Sequence, residues 1–297
     1  METANRPEMN APSVRWVSTG WLAEHRDDRN LMILDCRPDV HAYFTGHIPG
    51  AIHVPEGLFR VHTGNIPARW IPKDMAEALF GVLGIEYGRE LVVYTTGSVP
   101  QSPSSSVGDG FAAAFVAYSL IRYGHTRVNI LEGGLHKWQQ ENRPITPVSG
   151  WTRSVAYTAH IREDYFIGYP EVVHFKGQPH VVLLDTRPSA AYEGQASWAK
   201  PGHIPGAVNV PAQVLMDEKN SALMKSPDDL KEIFISCGIT PDKTVICSCG
   251  TGRTATLVFL ILKWYLSYPH VVMFEGGFTE WISFPENPVE VGKKRDA

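Results

Sequence analysis

Short runs of apolar, β-branched residues recur along the chain, with amphipathic or apolar segments between them. VVLLD (181–185), TVICSC (244–249) and VVMF (271–274) read as strands with no polar face. Between them, SPDDLKEIFISCG (226–238) reads as a helix with Ser226 as its cap, and residues 251–266 read as another. Fully apolar strands alternating with helices predict a parallel sheet covered on both faces, an α/β fold. In such sheets ligands bind beyond the carboxyl ends of the strands, where loops enter helices.

The same pattern occurs twice. LDCRPDVHAYFTGHIPGAIHVP (34–55) returns as LDTRPSAAYEGQASWAKPGHIPGAVNVP (184–211), and LEGGLHKW (131–138) returns as FEGGFTEW (274–281). The offsets are 185 − 35 = 150 for the aspartates, 203 − 47 = 156 for the histidines and 275 − 132 = 143 for the glutamates. A period of this length is a domain used in tandem, with insertions at loops. We expect a first domain over 12–143, a linker over 144–160 and a second domain over 161–288. The polar, proline-containing QQENRPITPVSG (139–150) marks the seam.

Composition narrows the function classes. Lys and Arg number 27 against 31 Asp and Glu, a net charge of −4, so no basic excess advertises nucleic acid or an anionic membrane. The most apolar run, Leu257–Leu262, stops at Lys263, far short of a span. The first residues carry no apolar leader core, and four cysteines (Cys36, Cys237, Cys247, Cys249) are too few for a disulfide scaffold. A cytoplasmic setting is expected.

Candidate chemistry concentrates in Cys249-Gly250-Thr251-Gly252-Arg253-Thr254, between a strand and a helix. Glycines allow a tight turn whose successive N–H groups form an anion nest, and the helix N-terminus adds its own unpaired donors. A sulfur there is expected to have its negative, nucleophilic form favoured, and Arg253 adds a fixed positive charge. The bland alternative is a buried strand-end thiol beside a structural turn. If the loop is chemical, sulfur transfer and phosphate-ester hydrolysis compete. Cysteine phosphatases space nucleophile and arginine as Cys-x5-Arg, whereas this chain has Cys-x3-Arg in a loop one residue shorter. That spacing argues for sulfur.

D-x-R followed by GHIPGA in both halves, the loop CGTGRT and the two EGG-xxx-W closures together resemble the tandem-domain rhodaneses, from about Trp16 to Trp281. The resemblance implies two rhodanese-like domains and a persulfide intermediate on Cys249, with no cofactor and no metal. A small anionic sulfur donor such as thiosulfate would load the cysteine, and a thiophilic acceptor (cyanide, a thiol or a sulfur-accepting protein) would unload it. The loop from Gly250 to Thr254, with Arg187 of the second D-x-R and Arg69 from the first half, is the expected substrate-binding set.

Aligning LVVYTTG (91–97) on TVICSCG (244–250) sets Thr96 opposite Cys249, so the first half is expected to be catalytically silent and to wall the cleft. Its longer loop, 97–110, is an alternative partner-docking element. Cys-Gly-Thr-Gly is similar to the Cys-Gly-Ser-Gly of mercaptopyruvate sulfurtransferases, but Glu193 stands where those enzymes add an arginine. Their first-domain histidine is missing from GNIPARWIP (64–72), although His62 lies nearby. Arg253 resembles the basic loops of thiosulfate enzymes. Thiosulfate is therefore the favoured donor, with mercaptopyruvate, a low-molecular-weight persulfide or a sulfur-relay role as alternatives. Cys247, His47, His203, Trp138 and Trp281 read as packing or architecture, and Arg37 as structural.

Overall fold

The computed structural model describes residues 12–64, 66–97 and 110–292. Its strands are β1 (Ser13–Val17), β2 (Leu31–Asp35), β3 (Ile52–His53), β4 (Arg60–Thr63), β5 (Ile66–Trp70), β6 (Glu90–Tyr94) and β7 (Arg127–Leu131) in the first half. β8 (Phe166–Ile167), β9 (Val181–Asp185), β10 (Val208–Asn209), β11 (Thr244–Ser248) and β12 (Val271–Phe274) follow in the second. One five-stranded parallel sheet runs β1-β7-β6-β2-β3 and the other β10-β9-β11-β12-β8, the same order read in opposite senses. This is the duplicated α/β fold expected from the pattern.

Strand residues alternate between two apolar layers. Ile33 and Val92 face a cluster belonging to the first half, with Trp138, while Leu183 and Ile246 face the corresponding cluster of the second, with Trp281. Their neighbours Leu34, Val93, Leu184 and Cys247 point the other way, into one core that both halves share. The Gly110–Arg122 helix crosses this shared core and packs on the Arg253–Leu260 helix. From Gly110 to Ile121 every residue is buried, because this helix touches protein all round. The second helix ends sooner than its apolar run suggests, passing at Ile261–Tyr265 into a π turn.

The halves also exchange segments. After a 3-10 turn at Glu56–Phe59, the antiparallel β4–β5 hairpin reaches the second half. After the matching turn at Ala212–Leu215, residues 216–224 reach back to the first. Asn220 Nδ2 donates to the Gly133 carbonyl (2.9 Å), and Ser221 N donates to the Gly97 carbonyl (3.2 Å). The stretch expected as a linker lies against the first half, with Tyr157 and Ala159 buried and His160 N donating to the Tyr123 carbonyl (3.0 Å). Apart from its ends, the 97–110 loop lies outside the described residues.

Strand register corrects one alignment. β2 pairs Asp35 with Tyr94, and β9 pairs Asp185 with Ser248. The residue after each is Thr95 and Cys249, so Thr95, not Thr96, occupies the cysteine's place. The closures agree: Leu135 N donates to the Thr95 carbonyl (2.8 Å) as Phe278 N donates to that of Cys249 (2.7 Å). The local offset is 249 − 95 = 154, and 154 − 143 = 11 residues are inserted downstream in the first half. A buried parallel strand is apolar on both faces and has no alternation from which to read register.

Candidate active site

Cys249 follows β11 and precedes the Arg253–Leu260 helix, the strand-to-helix position that α/β sheets use for ligands. Its Sγ accepts a hydrogen bond from Gly252 N at 3.1 Å. Gly252 has φ +88°, and a Cβ there would lie 2.6 Å from the Trp70 ring, so glycine is required on both conformational and steric grounds. As the helix cap, Gly252 offers no side-chain acceptor to the first-turn N–H groups, which leaves them available to an anion.

The EGG closure clamps the loop from behind. Gly277, at φ +57°, brings its α-carbon so near that a Cβ would sit 2.5 Å from the Cys249 carbonyl oxygen. The Gly250 carbonyl accepts from Thr279 N (3.0 Å) and Thr279 Oγ1 (2.8 Å). Thr254 Oγ1 pairs with Thr186 Oγ1 at 2.9 Å, tying the helix to the end of β9.

A cavity of about 340 Å³ opens over the thiol, lined by Arg187, Trp198, Cys249, Gly250, Thr251, Arg253 and Thr254, with Pro188 and three alanines as its apolar wall. Among the described residues, those lining it all belong to the second half, and the described contacts of the first half brace the loop. Arg253 Nε donates to Glu56 Oε2 (2.7 Å), and Arg60 Nη1 donates to the Thr251 carbonyl (2.5 Å). Burial lowers the Arg60 pKa, while Glu56 and then Cys249 act in the opposite sense, which places that guanidinium within the electrostatic reach of the thiol. Glu56, Arg60 and Trp198 carry no motif that marks them in sequence.

Arg187 forks onto both Asp185 oxygens, with Nε to Oδ1 at 3.0 Å and Nη2 to Oδ2 at 2.5 Å, and Nη2 also reaches the Gly202 carbonyl (2.9 Å). Its face lies 3.9 Å from the Phe278 ring centroid. This is the brace that Arg37 makes with Asp35 and Gly46 in the first half. Arg187 differs in lining the cavity, and its Nη1 is buried without a hydrogen-bond partner among the described residues. A buried, unpaired guanidinium N–H beside a cavity is a donor waiting for an acceptor.

Other expected residues lie apart from the thiol. Arg69 pairs with Glu280 and lines a separate small cavity with Trp70, Arg122, Glu275 and Gly276, so the structure does not bring it to Cys249. Glu193 accepts from Gln195 Nε2 (3.3 Å) and is not among the residues lining the cavity, which removes it as a direct repeller of a bound carboxylate. His62 is exposed on β4. Cys247 is fully buried, and that burial, with Cys249 nearby, pushes its thiol far up. His47 and His203 stack on Tyr43 and Tyr192 and bond to backbone carbonyls. Trp138 and Trp281 donate Nε1 to Pro144 and Pro288 carbonyls (2.8 and 2.9 Å). Among the described residues no group of three or more His, Cys, Asp or Glu is placed to hold a metal, and no helix is long and apolar enough to cross a membrane.

The family model described as "Rhodanese-like domain" matches residues 18–141 and again 168–284. A protein of Synechococcus elongatus named "Putative thiosulfate sulfurtransferase" is 33% identical over 292 residues, covering 95% of this chain and 87% of its own. One of Escherichia coli K12 named "3-mercaptopyruvate sulfurtransferase" is 30% identical, covering 94% and 99%. The solved structure of an Escherichia coli 3-mercaptopyruvate sulfotransferase superposes with a TM-score of 0.78 at 29% identity, covering 90% of this chain and 99% of that one.

Proposed function

The chain belongs to the tandem rhodanese-like sulfurtransferases, and from that premise we propose that Cys249 carries sulfur as a persulfide and that thiosulfate is its donor. Deprotonated Cys249 attacks the outer sulfur of thiosulfate, the S–S bond to the sulfonate breaks, and sulfite leaves with the electron pair. The outer sulfur of the resulting persulfide anion is then taken by a thiophilic acceptor. With cyanide the products are thiocyanate and the original thiolate. The Gly252 N–H at 3.1 Å from Sγ is placed to stabilise the charge held on sulfur in both steps.

The observation that carries this reading is the pair of guanidinium groups beside one thiol in one cavity. Arg187 offers its unpartnered Nη1, and Arg253 stands on the same lining. A dianion with three sulfonate-type oxygens suits two cationic donors. A second reading, mercaptopyruvate, is favoured by the Glu56–Arg253 ion pair, which offsets one of those charges, and by the apolar wall at Pro188, Ala190, Ala191 and Ala196. Intact-mass measurement decides the carrier: thiosulfate should add about 32 Da, and cyanide should remove it. Cys249→Ser must abolish that adduct, and full turnover by this variant would overturn the assignment. Parallel rates with thiosulfate and mercaptopyruvate decide the donor.

A further inference from the structure

The peptide unit joining Thr251 to Gly252 makes contacts at both ends. Its N–H donates to Cys249 Sγ at 3.1 Å, and its carbonyl accepts from Arg60 Nη1 at 2.5 Å. In a trans peptide the N–H and C=O bonds point in opposite directions, so a cation on the oxygen polarises the unit and strengthens the N–H as a donor. Arg60 comes from the other half of the molecule, 191 residues away in sequence. It is itself held, with Nη1 also donating to the Ala68 carbonyl (3.1 Å) and the guanidinium 4.1 Å from the Phe115 ring centroid and 5.3 Å from that of Trp70.

We infer that Arg60 is a positioning residue for Cys249, acting through the Thr251–Gly252 peptide to orient and strengthen the N–H that faces the sulfur. This rests on the reading of Cys249 as the sulfur carrier. The other charged groups around the loop have different tasks. Arg253 is paired with Glu56, Arg187 with Asp185, and Glu275 with Arg122, and none of these side chains has a hydrogen bond to the Thr251 carbonyl. Arg60 itself does not line the cavity, so its influence on sulfur runs through the backbone and not through contact with the donor. The silent first half thereby contributes to the chemistry of the second.

The test uses the full chain carrying Arg60→Met, Arg60→Gln or Arg60→Lys. Two readouts are needed: the rate of Cys249 alkylation by iodoacetamide at neutral pH, followed on its own peptide, and the kcat and KM of sulfur transfer. Arg60→Met should slow alkylation by about five- to tenfold and lower kcat by roughly 10- to 100-fold, with the donor KM within about threefold of the parent. Arg60→Lys, which keeps the charge, should recover much of both rates. Arg60→Gln keeps a hydrogen-bond donor without charge and should fall between them. Should Arg60→Met not fold, the Gln and Lys pair carries the same comparison. Alkylation within twofold of the parent in a folded, uncharged variant would overturn the inference. So would a KM that rises in step with the loss of kcat, or a Lys variant as slow as Met. If the parent transfers sulfur from neither donor, the persulfide reading fails, while the alkylation series still decides the role of Arg60.

Discussion

Cys247 and Cys249 are two residues apart, both buried, yet they face different surroundings. Both belong to the shared apolar core, but Cys247 does not line the cavity, whereas Cys249 meets an N–H, that cavity and nearby guanidinium groups. Cys247→Ala should therefore keep sulfur transfer within about twofold while costing about 1–2 kcal/mol in denaturant unfolding, the usual range for a small buried deletion. A transfer rate that falls with Cys247 would assign it a chemical role. Glu56 makes the other residue-scale prediction. Its ion pair with Arg253 is partly exposed, a class worth about 1 kcal/mol or less. Glu56→Gln should release Arg253 toward a dianion, lowering the thiosulfate KM by about two- to fivefold and the mercaptopyruvate KM by less. Steady-state kinetics with both donors checks this, and an unchanged ratio would remove Arg253 from donor selection. Cys249 could be singled out from sequence because the duplicated fold holds a threonine in its place. Glu56 and Arg60 could not, since nothing local marks side chains that act across 197 and 191 residues of chain.

Strands and the closures that follow them were the most readable elements. VVMF coincides with β12, and TVICSC exceeds β11 by its final cysteine, which has left the sheet to begin the loop. Ser226 caps its helix as expected, its hydroxyl accepting from Asp229 N at 3.2 Å. What apolar runs could not supply was the strand register, hence Thr95 in place of Thr96. The repeat also hides the reason for the second EGG glycine. In each half this residue has positive φ, and a Cβ would meet the carbonyl of the residue at the cysteine position, 2.3 Å away for Gly134 and 2.5 Å for Gly277. Gly134→Ala and Gly277→Ala should then destabilise similarly, by about 1–3 kcal/mol each. Only Gly277→Ala displaces the loop that holds Cys249, so turnover should fall at least about tenfold there and stay within about twofold for Gly134→Ala. Melting curves set beside turnover numbers test the pair. Equal loss of activity in both variants would mean that the closure acts on stability alone.

At the scale of the whole molecule, the repeat suggests two separable domains, but the packing does not divide that way. The Gly110–Arg122 helix of the first half lies against the Arg253–Leu260 helix of the second, and residues of both sheets share one apolar cluster. Its end is pinned by Arg122, whose Nε and Nη2 reach the Glu275 carboxylate at 2.7 and 3.0 Å, with Tyr118 Oη donating to the same group at 2.7 Å. Separating the halves would expose a helix that is apolar all round and strand these charges, which costs far more than parting an ordinary polar interdomain contact. The chain should therefore unfold in one calorimetric transition, with van't Hoff and calorimetric enthalpies that agree. Phe259, fully buried between Tyr118 and Tyr165, gives the sharper form of the test. Phe259→Ala should cost about 3–5 kcal/mol and move that single transition down as a unit. Two resolved peaks, in the parent or in the variant, would show that each half folds alone. The bracing of the Cys249 loop by Glu56 and Arg60 would then depend on a docking equilibrium instead of one cooperative fold.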